Sequence, residues 1–120
     1  MKNLKIPGAA GIILLLMIAF SSCEKVIFEP PELPDSVSFS LDIQPIFNEN
    51  CVSCHVGDRE PDLQEGLSYD ALIGGAYVDT ANPEGSKLVK KLNVAPHNSR
   101  ASEAQKQLII EWIRAGAKDN

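Results

Sequence analysis

Residues 40–55, SLDIQPIFNENCVSCH, combine a helical pattern with a tight group of thiols and an imidazole. The apolar residues of this stretch recur at the spacing of one helix face and are Leu41, Ile43, Ile46 and Phe47. Ser40 or Asp42 is expected to cap the helix at its start. A helix that ends near Asn50 would present the following residues directly after its last turn.

Those following residues, Cys51-Val52-Ser53-Cys54-His55, fit the pattern Cys-x-x-Cys-His, which is typical of c-type haem attachment. Two thiols three residues apart reach the two vinyl groups on one edge of a porphyrin. The next side chain, His55, then projects over the iron, and a neutral imidazole is a good iron ligand. The motif therefore predicts one covalently attached haem c per chain, bound by Cys51 and Cys54 with His55 as the proximal ligand.

Three other interpretations of the motif are open. A thioredoxin-type redox pair requires a strand and helix around the cysteines, and no strand is predicted there. A structural zinc site requires four ligands, and His97 is the one further strong candidate. A disulfide between Cys51 and Cys54 is the remaining alternative for an exported protein.

The N-terminus has the layout of a bacterial secretory signal. Lys2 and Lys5 precede the apolar run IILLLMIAF, residues 12–20, which has about half the ~20 residues that span a bilayer. Its ending, Phe20-Ser21-Ser22-Cys23, resembles the lipobox of bacterial lipoproteins. The resemblance implies that residues 1–22 are a signal peptide and that lipid on Cys23 anchors the exported chain to a bacterial membrane, on the periplasmic or cell-surface side. A plain secretory signal with a free Cys23 is the alternative.

Prolines indicate where the domain begins, and the net charge limits the kinds of partner it can bind. Residues 23–36 contain Pro30, Pro31 and Pro34 and are expected to form an extended tether, which leaves residues 37–120 as one domain. The formal charge of −5, which becomes −7 when Lys2 and Lys5 leave with the signal peptide, argues against nucleic acid as a partner.

Helix signals recur through the domain. Ser68 is expected to cap a helix to Ile73, and Asn82 a helix to Leu92. Ser102 begins a capping box, and Gly116 is a plausible stop for the last helix. No alternating strand pattern is present, so the predicted class is all-α, with about four short helices and a thin core that a bulky cofactor would fill.

The segments SFSLDIQPIFNENCVSCH, SYDALIGGAYVDTANPEGSKLVKKL and QKQLIIEWIRAGAKDN resemble a small class I cytochrome c domain of bacterial lipoproteins. This resemblance implies crossing N- and C-terminal helices around one haem, with Phe47 and Trp112 near the crossing. It implies that the Pro61 carbonyl accepts a hydrogen bond from the proximal imidazole and that Leu63 packs on the haem face. It also implies an electron carrier rather than an enzyme.

The second axial ligand departs from the family pattern, which usually supplies a methionine between the last two helices. Met1 and Met17 both lie in the predicted signal peptide, and Ala95 stands where the methionine is expected. Ligation by His97 is one possibility. An open distal site, as in a haem sensor or small peroxidase, is another, and the remaining candidate ligands are Lys90, Lys91 and Asn98.

Four carboxylates cluster after the haem motif and are Asp58, Glu60, Asp62 and Glu65. An acidic surface speeds the encounter with a positively charged protein. An acidic solvated loop is one interpretation of this cluster, and a docking surface for redox partner proteins with a basic face is the other.

Overall fold

A computed structural model describes residues 36–120, and the predicted signal peptide, Cys23 and almost all of the tether lie outside this range. The regular secondary structure of the described residues is entirely helical, with no strand, which confirms the predicted all-α class. Its α-helices are α1 (Gln44–Asn50), α2 (Ser68–Gly74), α3 (Lys87–Leu92) and α4 (Glu103–Arg114). A π-helical turn, Phe39–Ile43, leads into α1, and a 3₁₀ turn, Pro83–Gly85, precedes α3.

The first helical segment begins earlier than the sequence predicts. Ser38 is the cap, because its hydroxyl accepts a hydrogen bond from the amide of Leu41 at 3.3 Å. The carboxylate of Asp42 accepts one from the amide of Ser38 at 2.7 Å. The predicted caps, Ser40 and Asp42, were therefore wrong. The start shifts because Phe39 is buried in the core and belongs to the helical turn.

The two middle helices also differ in detail from the prediction. Ser68 lies inside α2 rather than capping it, and its buried hydroxyl donates a hydrogen bond to the side-chain oxygen of Gln44. Asn82 caps the short 3₁₀ turn, and Ser86 then interrupts the predicted helix with extended backbone, φ −54° and ψ 141°. The hydroxyl of Ser86 accepts a hydrogen bond from the amide of Asp79 at 2.9 Å, which stabilises this break.

The last helix follows its sequence signals. Ser102 Oγ accepts a hydrogen bond from the Gln105 amide at 3.2 Å, and Gln105 Oε1 accepts one from the Ser102 amide at 2.9 Å. The predicted capping box is thus confirmed. The helix ends at Arg114, and Gly116 follows at a φ of 103°, a conformation that favours glycine.

Aromatic packing joins the start of the described chain to its end. The ring of Phe39 lies 5.1 Å from that of Trp112 and 5.3 Å from that of Tyr69, measured between ring centroids. The family resemblance places Phe47 near this contact, and its ring centroid lies 6.4 Å from that of Phe39. The amide of Phe39 also donates a hydrogen bond to the side-chain oxygen of Asn120 at 2.9 Å. The core therefore packs the π-helical turn against α4, and α1, which continues from that turn, ends at the motif cysteines.

Across residues 36–120, every helix is too short or too polar to cross a bilayer.

Candidate functional site

A cavity of about 420 Å³ opens between the end of α1, helix α3 and the loop of residues 93–101, called the distal loop below. Its volume falls within the ~300–1,000 Å³ of typical ligand pockets. Phe47, Leu88 and Leu92 contribute apolar surface to its wall. All the predicted haem-site residues of the domain also line it, and these are Cys51, Cys54, His55, Pro61, Leu63 and His97.

Tight turns after α1 bring the motif side chains together. The Cys51 amide continues the helix by donating to the carbonyl of Phe47 at 2.9 Å. The amides of Cys54 and His55 both donate to the carbonyl of Cys51 at 3.0 Å, so the chain folds back on itself within five residues. The two thiols are free, with no disulfide between them. Burial raises the pKa of the Cys51 thiol, and the positive charge of Arg100 opposes this effect.

The imidazole of His55 is oriented by the loop that follows it. His55 Nδ1 lies 3.1 Å from the carbonyl oxygen of Pro61, the atom that the family resemblance assigns to this nitrogen. When Nδ1 donates its proton there, Nε2 keeps the lone pair that a metal requires. The backbone amide of Leu63 donates to the His55 carbonyl at 2.9 Å, and the Leu63 side chain is buried.

Asp62 stabilises the same loop. One of its carboxylate oxygens accepts a hydrogen bond from the Gln64 amide, and the other accepts one from the Gly57 amide, each at 3.0 Å. The bond from the Gln64 amide is the main reason why the pKa of Asp62 is lowered. This residue of the predicted acidic docking surface therefore also closes the turn that carries Pro61.

Gln44 on α1 forms a hydrogen bond to the same loop, and it was not identified from the sequence as a residue of the site. It is buried, and its Nε2 donates to the carbonyl of Leu63 at 3.1 Å and to Asn48 Oδ1 at 2.8 Å. Its Oε1 accepts the hydroxyl proton of Ser68. A glutamine on the inner face of an otherwise apolar helix is the one sequence signal for this role.

His97 lies on the distal loop, across the cavity from His55. The centroids of the two imidazole rings are 6.0 Å apart, with an interplanar angle of 46°. His97 Nδ1 is buried and has no hydrogen-bond partner within the described part of the chain. Two imidazoles that share one metal, with metal–nitrogen distances of about 2.0–2.1 Å each, have ring centres about 6 Å apart. The spacing of the two rings therefore suits an iron between them.

Positive charge is concentrated around the cavity although the chain is acidic overall. Arg59, Lys87, Lys91 and Arg100 line it, whereas Glu60 is the one carboxylate among the lining residues within 36–120. The Lys87 ammonium lies 3.9 Å from the centre of the Tyr77 ring. This arrangement suits a ligand that is apolar in the middle and carries negative charge at its edge. Haem, with its two carboxylates, has that distribution.

The structure also shows where the other candidate axial ligands lie relative to the cavity. Lys91 lines the cavity, whereas Lys90 and Asn98 do not. Within residues 36–120, no group of three or more His, Cys, Asp or Glu side chains is arranged to hold a metal ion. The cavity thus fits a haem on three counts: its apolar wall, two free thiols and two opposed imidazoles.

Comparison with known proteins gives one distant likeness. The chain is 27% identical over 124 aligned positions to the hydrazine synthase subunit alpha of Kuenenia stuttgartiensis. The match covers 69% of this chain but only 15% of that subunit, so the chain spans a small part of its relative. No protein-family model and no solved structure matches the chain.

Proposed function

We propose that the protein is a membrane-anchored monohaem c-type cytochrome that carries single electrons outside the cytoplasm. The observation that carries this proposal is the opposition of His55 and His97 across a cavity that both motif cysteines line.

Each group around the cavity has a distinct role in this proposal. Cys51 and Cys54 attach the cofactor through thioethers, His55 is the proximal ligand, and His97 is the second ligand. The Pro61 carbonyl fixes the tautomer and orientation of His55. The bound iron supplies the chemistry, a change of one electron, while the protein sets the ligation, the burial and the charge around it.

The ligand set favours electron transfer over catalysis. When both axial positions are filled by side chains, a small molecule has no free coordination site. Two imidazoles also give a lower reduction potential than the usual histidine–methionine pair. We therefore assign the protein to the carriers rather than to the enzymes.

Docking of a redox partner is proposed at the acidic surface after the haem motif. Asp58, Glu60 and Glu65 are exposed, and Glu60 lies at the mouth of the cavity. A basic partner would be attracted there, and its electron-transfer rate should fall as salt screens the charges. A rate that does not change between low and high ionic strength would contradict this docking mode.

Covalent haem in the exported protein tests the proposal. The full chain is produced in a bacterium that attaches haem to exported proteins, and haem peroxidase staining is performed after denaturing electrophoresis. The wild type should stain and the Cys51→Ala/Cys54→Ala variant should not. A Cys23→Ala variant is the control, because it should keep the haem and lose the lipid, so that it no longer partitions into detergent. An unstained wild type would refute the proposal.

A further inference from the structure

Lys106 is a charged side chain in a buried position. Only 8% of its surface is exposed, whereas lysine side chains on helices are usually in contact with water. Its ammonium donates to Glu103 Oε1 at 2.7 Å and to the backbone carbonyl of Asn98 at 3.2 Å. Removing an ammonium group from water is unfavourable unless it is well paired, and an apolar side chain of similar size often stabilises such a position equally well. The lysine therefore calls for an explanation other than stability.

The partner at Asn98 supplies that explanation, because Asn98 follows His97 directly. The start of the distal loop is bonded to the end of α3, since the amides of Asn93 and Val94 donate to the carbonyls of Lys90 and Lys91, and the remaining hydrogen bonds around His97 are local turns. The amides of His97 and Asn98 donate to the carbonyl of Val94 at 2.9 and 3.1 Å, and the amide of Arg100 donates to the carbonyl of His97 at 2.9 Å. Among the described residues, the Lys106 ammonium makes the hydrogen bond that joins this part of the distal loop to α4.

The loop needs such an attachment. Ala101, at the end of the loop, is buried, but residues 93–100 are exposed apart from the half-buried His97, so apolar burial fixes the segment around His97 weakly. An axial ligand must be held within about 0.5 Å of its productive position. Local turns preserve the shape of the loop but do not fix its distance from His55.

We propose that Lys106 is a positioning residue that holds the distal loop in place, so that His97 stays at the sixth coordination position. This inference rests on the proposed function, since it assigns a role toward the same cofactor. Lys106 does not line the cavity and acts through the Asn98 carbonyl. Loss of its ammonium releases the loop and opens the iron to small ligands.

Two readouts test the proposal in the full-length protein. Lys106→Met removes the donors but keeps an apolar side chain, and Lys106→Arg keeps charge and donors. In the Met variant the reduced haem should bind carbon monoxide at least tenfold faster than in the wild type, and the amides of Asn98 and Arg100 should exchange with deuterium at least tenfold faster. In the Arg variant both rates should stay close to those of the wild type. Equal rates in a folded Lys106→Met variant would overturn the proposal.

Matched controls separate the Asn98 bond from general effects of charge. Lys118→Met removes an exposed lysine that follows α4, and its carbon monoxide binding and amide exchange should match those of the wild type. Glu103→Ala removes the partner carboxylate, which is 89% exposed, and leaves the Asn98 bond intact. If Glu103→Ala reproduces the full effect of Lys106→Met, the ion pair rather than the loop attachment is responsible, and the proposal is wrong.

Further measurements keep the proposal falsifiable if the Met variant does not fold or no haem is bound. In the wild type, a hydrogen-bonded Lys106 ammonium should give slowly exchanging protons with a nuclear Overhauser contact to Asn98, and the absence of both would refute the attachment. Amide exchange reports on the loop with or without haem, so a wild type that lacks haem refutes the proposed function while the exchange comparison still decides the role of Lys106. A haem-bearing wild type that binds carbon monoxide as fast as Lys106→Met would also overturn the inference.

Discussion

Replacement of Gln44 by methionine tests how the proximal side of the cavity is built. Methionine has a similar volume and fits the apolar face of α1, but it cannot form hydrogen bonds to Leu63 and Ser68. The carbonyl of Leu63 and the hydroxyl of Ser68 would be left buried without their present partner. Each such group costs about 1–3 kcal/mol, so we expect a loss of about 2–6 kcal/mol in the free energy of unfolding.

That loss is large for a domain of this size. Small domains have a total stability of about 5–15 kcal/mol, and each kcal/mol corresponds to about 4–8 °C in Tm for 60–100 residues. Even the lower value therefore predicts a clear fall in Tm. The proximal loop should also loosen, because the Leu63 carbonyl lies two residues after the Pro61 carbonyl that orients His55.

Urea unfolding of the purified protein, followed by far-UV circular dichroism, measures the effect. Gln107→Met is the matched control, because Gln107 is exposed on α4 and its change should stay within about 0.5 kcal/mol. A Gln44→Met variant that is as stable as the Gln107→Met control would refute the assignment of Gln44 to this network.

Three further predictions concern other parts of the domain. Ser102→Ala should cost about 1 kcal/mol through loss of the helix cap, whereas Ser99→Ala should change the urea midpoint little, and equal midpoints would contradict the capping assignment. Trp112→Ala should cost about 3–5 kcal/mol in thermal unfolding because the ring is almost fully buried, and a loss below about 1 kcal/mol would contradict its place in the core. The lowered pKa of Asp62 means that its contribution is present above the unfolded-state pKa and is lost as pH falls through the lower, folded-state value. The wild type should thus be more stable than Asp62→Asn near pH 7 and lose that advantage in strong acid, and a pH-independent difference in urea midpoint would refute this linkage.

The features that could be predicted from sequence are local ones. The capping box at Ser102 and the stop near Gly116 depend on residues within one turn of each other, so their chemistry is visible in the sequence itself. The same holds for the motif from Cys51 to His55, whose turns are made by neighbouring backbone groups.

The features that could not be predicted depend on contacts between distant segments. Serine is a residue type that often caps helices, but Ser68 is buried in the folded domain and its hydroxyl bonds to Gln44 instead. Ser86 interrupts a regular helical pattern because it bonds to Asp79, seven residues earlier. Lys106 looks like an ordinary helix-surface lysine until the distal loop is seen to pass over it. Each of these polar side chains has local alternatives, and only the folded chain selects among them.

The placement of His97 is intermediate between these cases. The absence of methionine outside the predicted signal peptide indicates that another ligand or an open site is required, but sequence cannot fix the position of a loop. The structure places the ring 6.0 Å from that of His55, a spacing that would suit two ligands on opposite sides of one metal.

The ligation state of the haem tests the central claim most directly. Optical spectra of the purified wild type and of His97→Ala are recorded in both redox states, with and without carbon monoxide. The wild type should carry covalent haem that is six-coordinate and low-spin and binds carbon monoxide slowly, and His97→Ala should become high-spin in part and bind it rapidly. A wild type without covalent haem, or a His97→Ala variant whose spectrum is unchanged, would contradict the account.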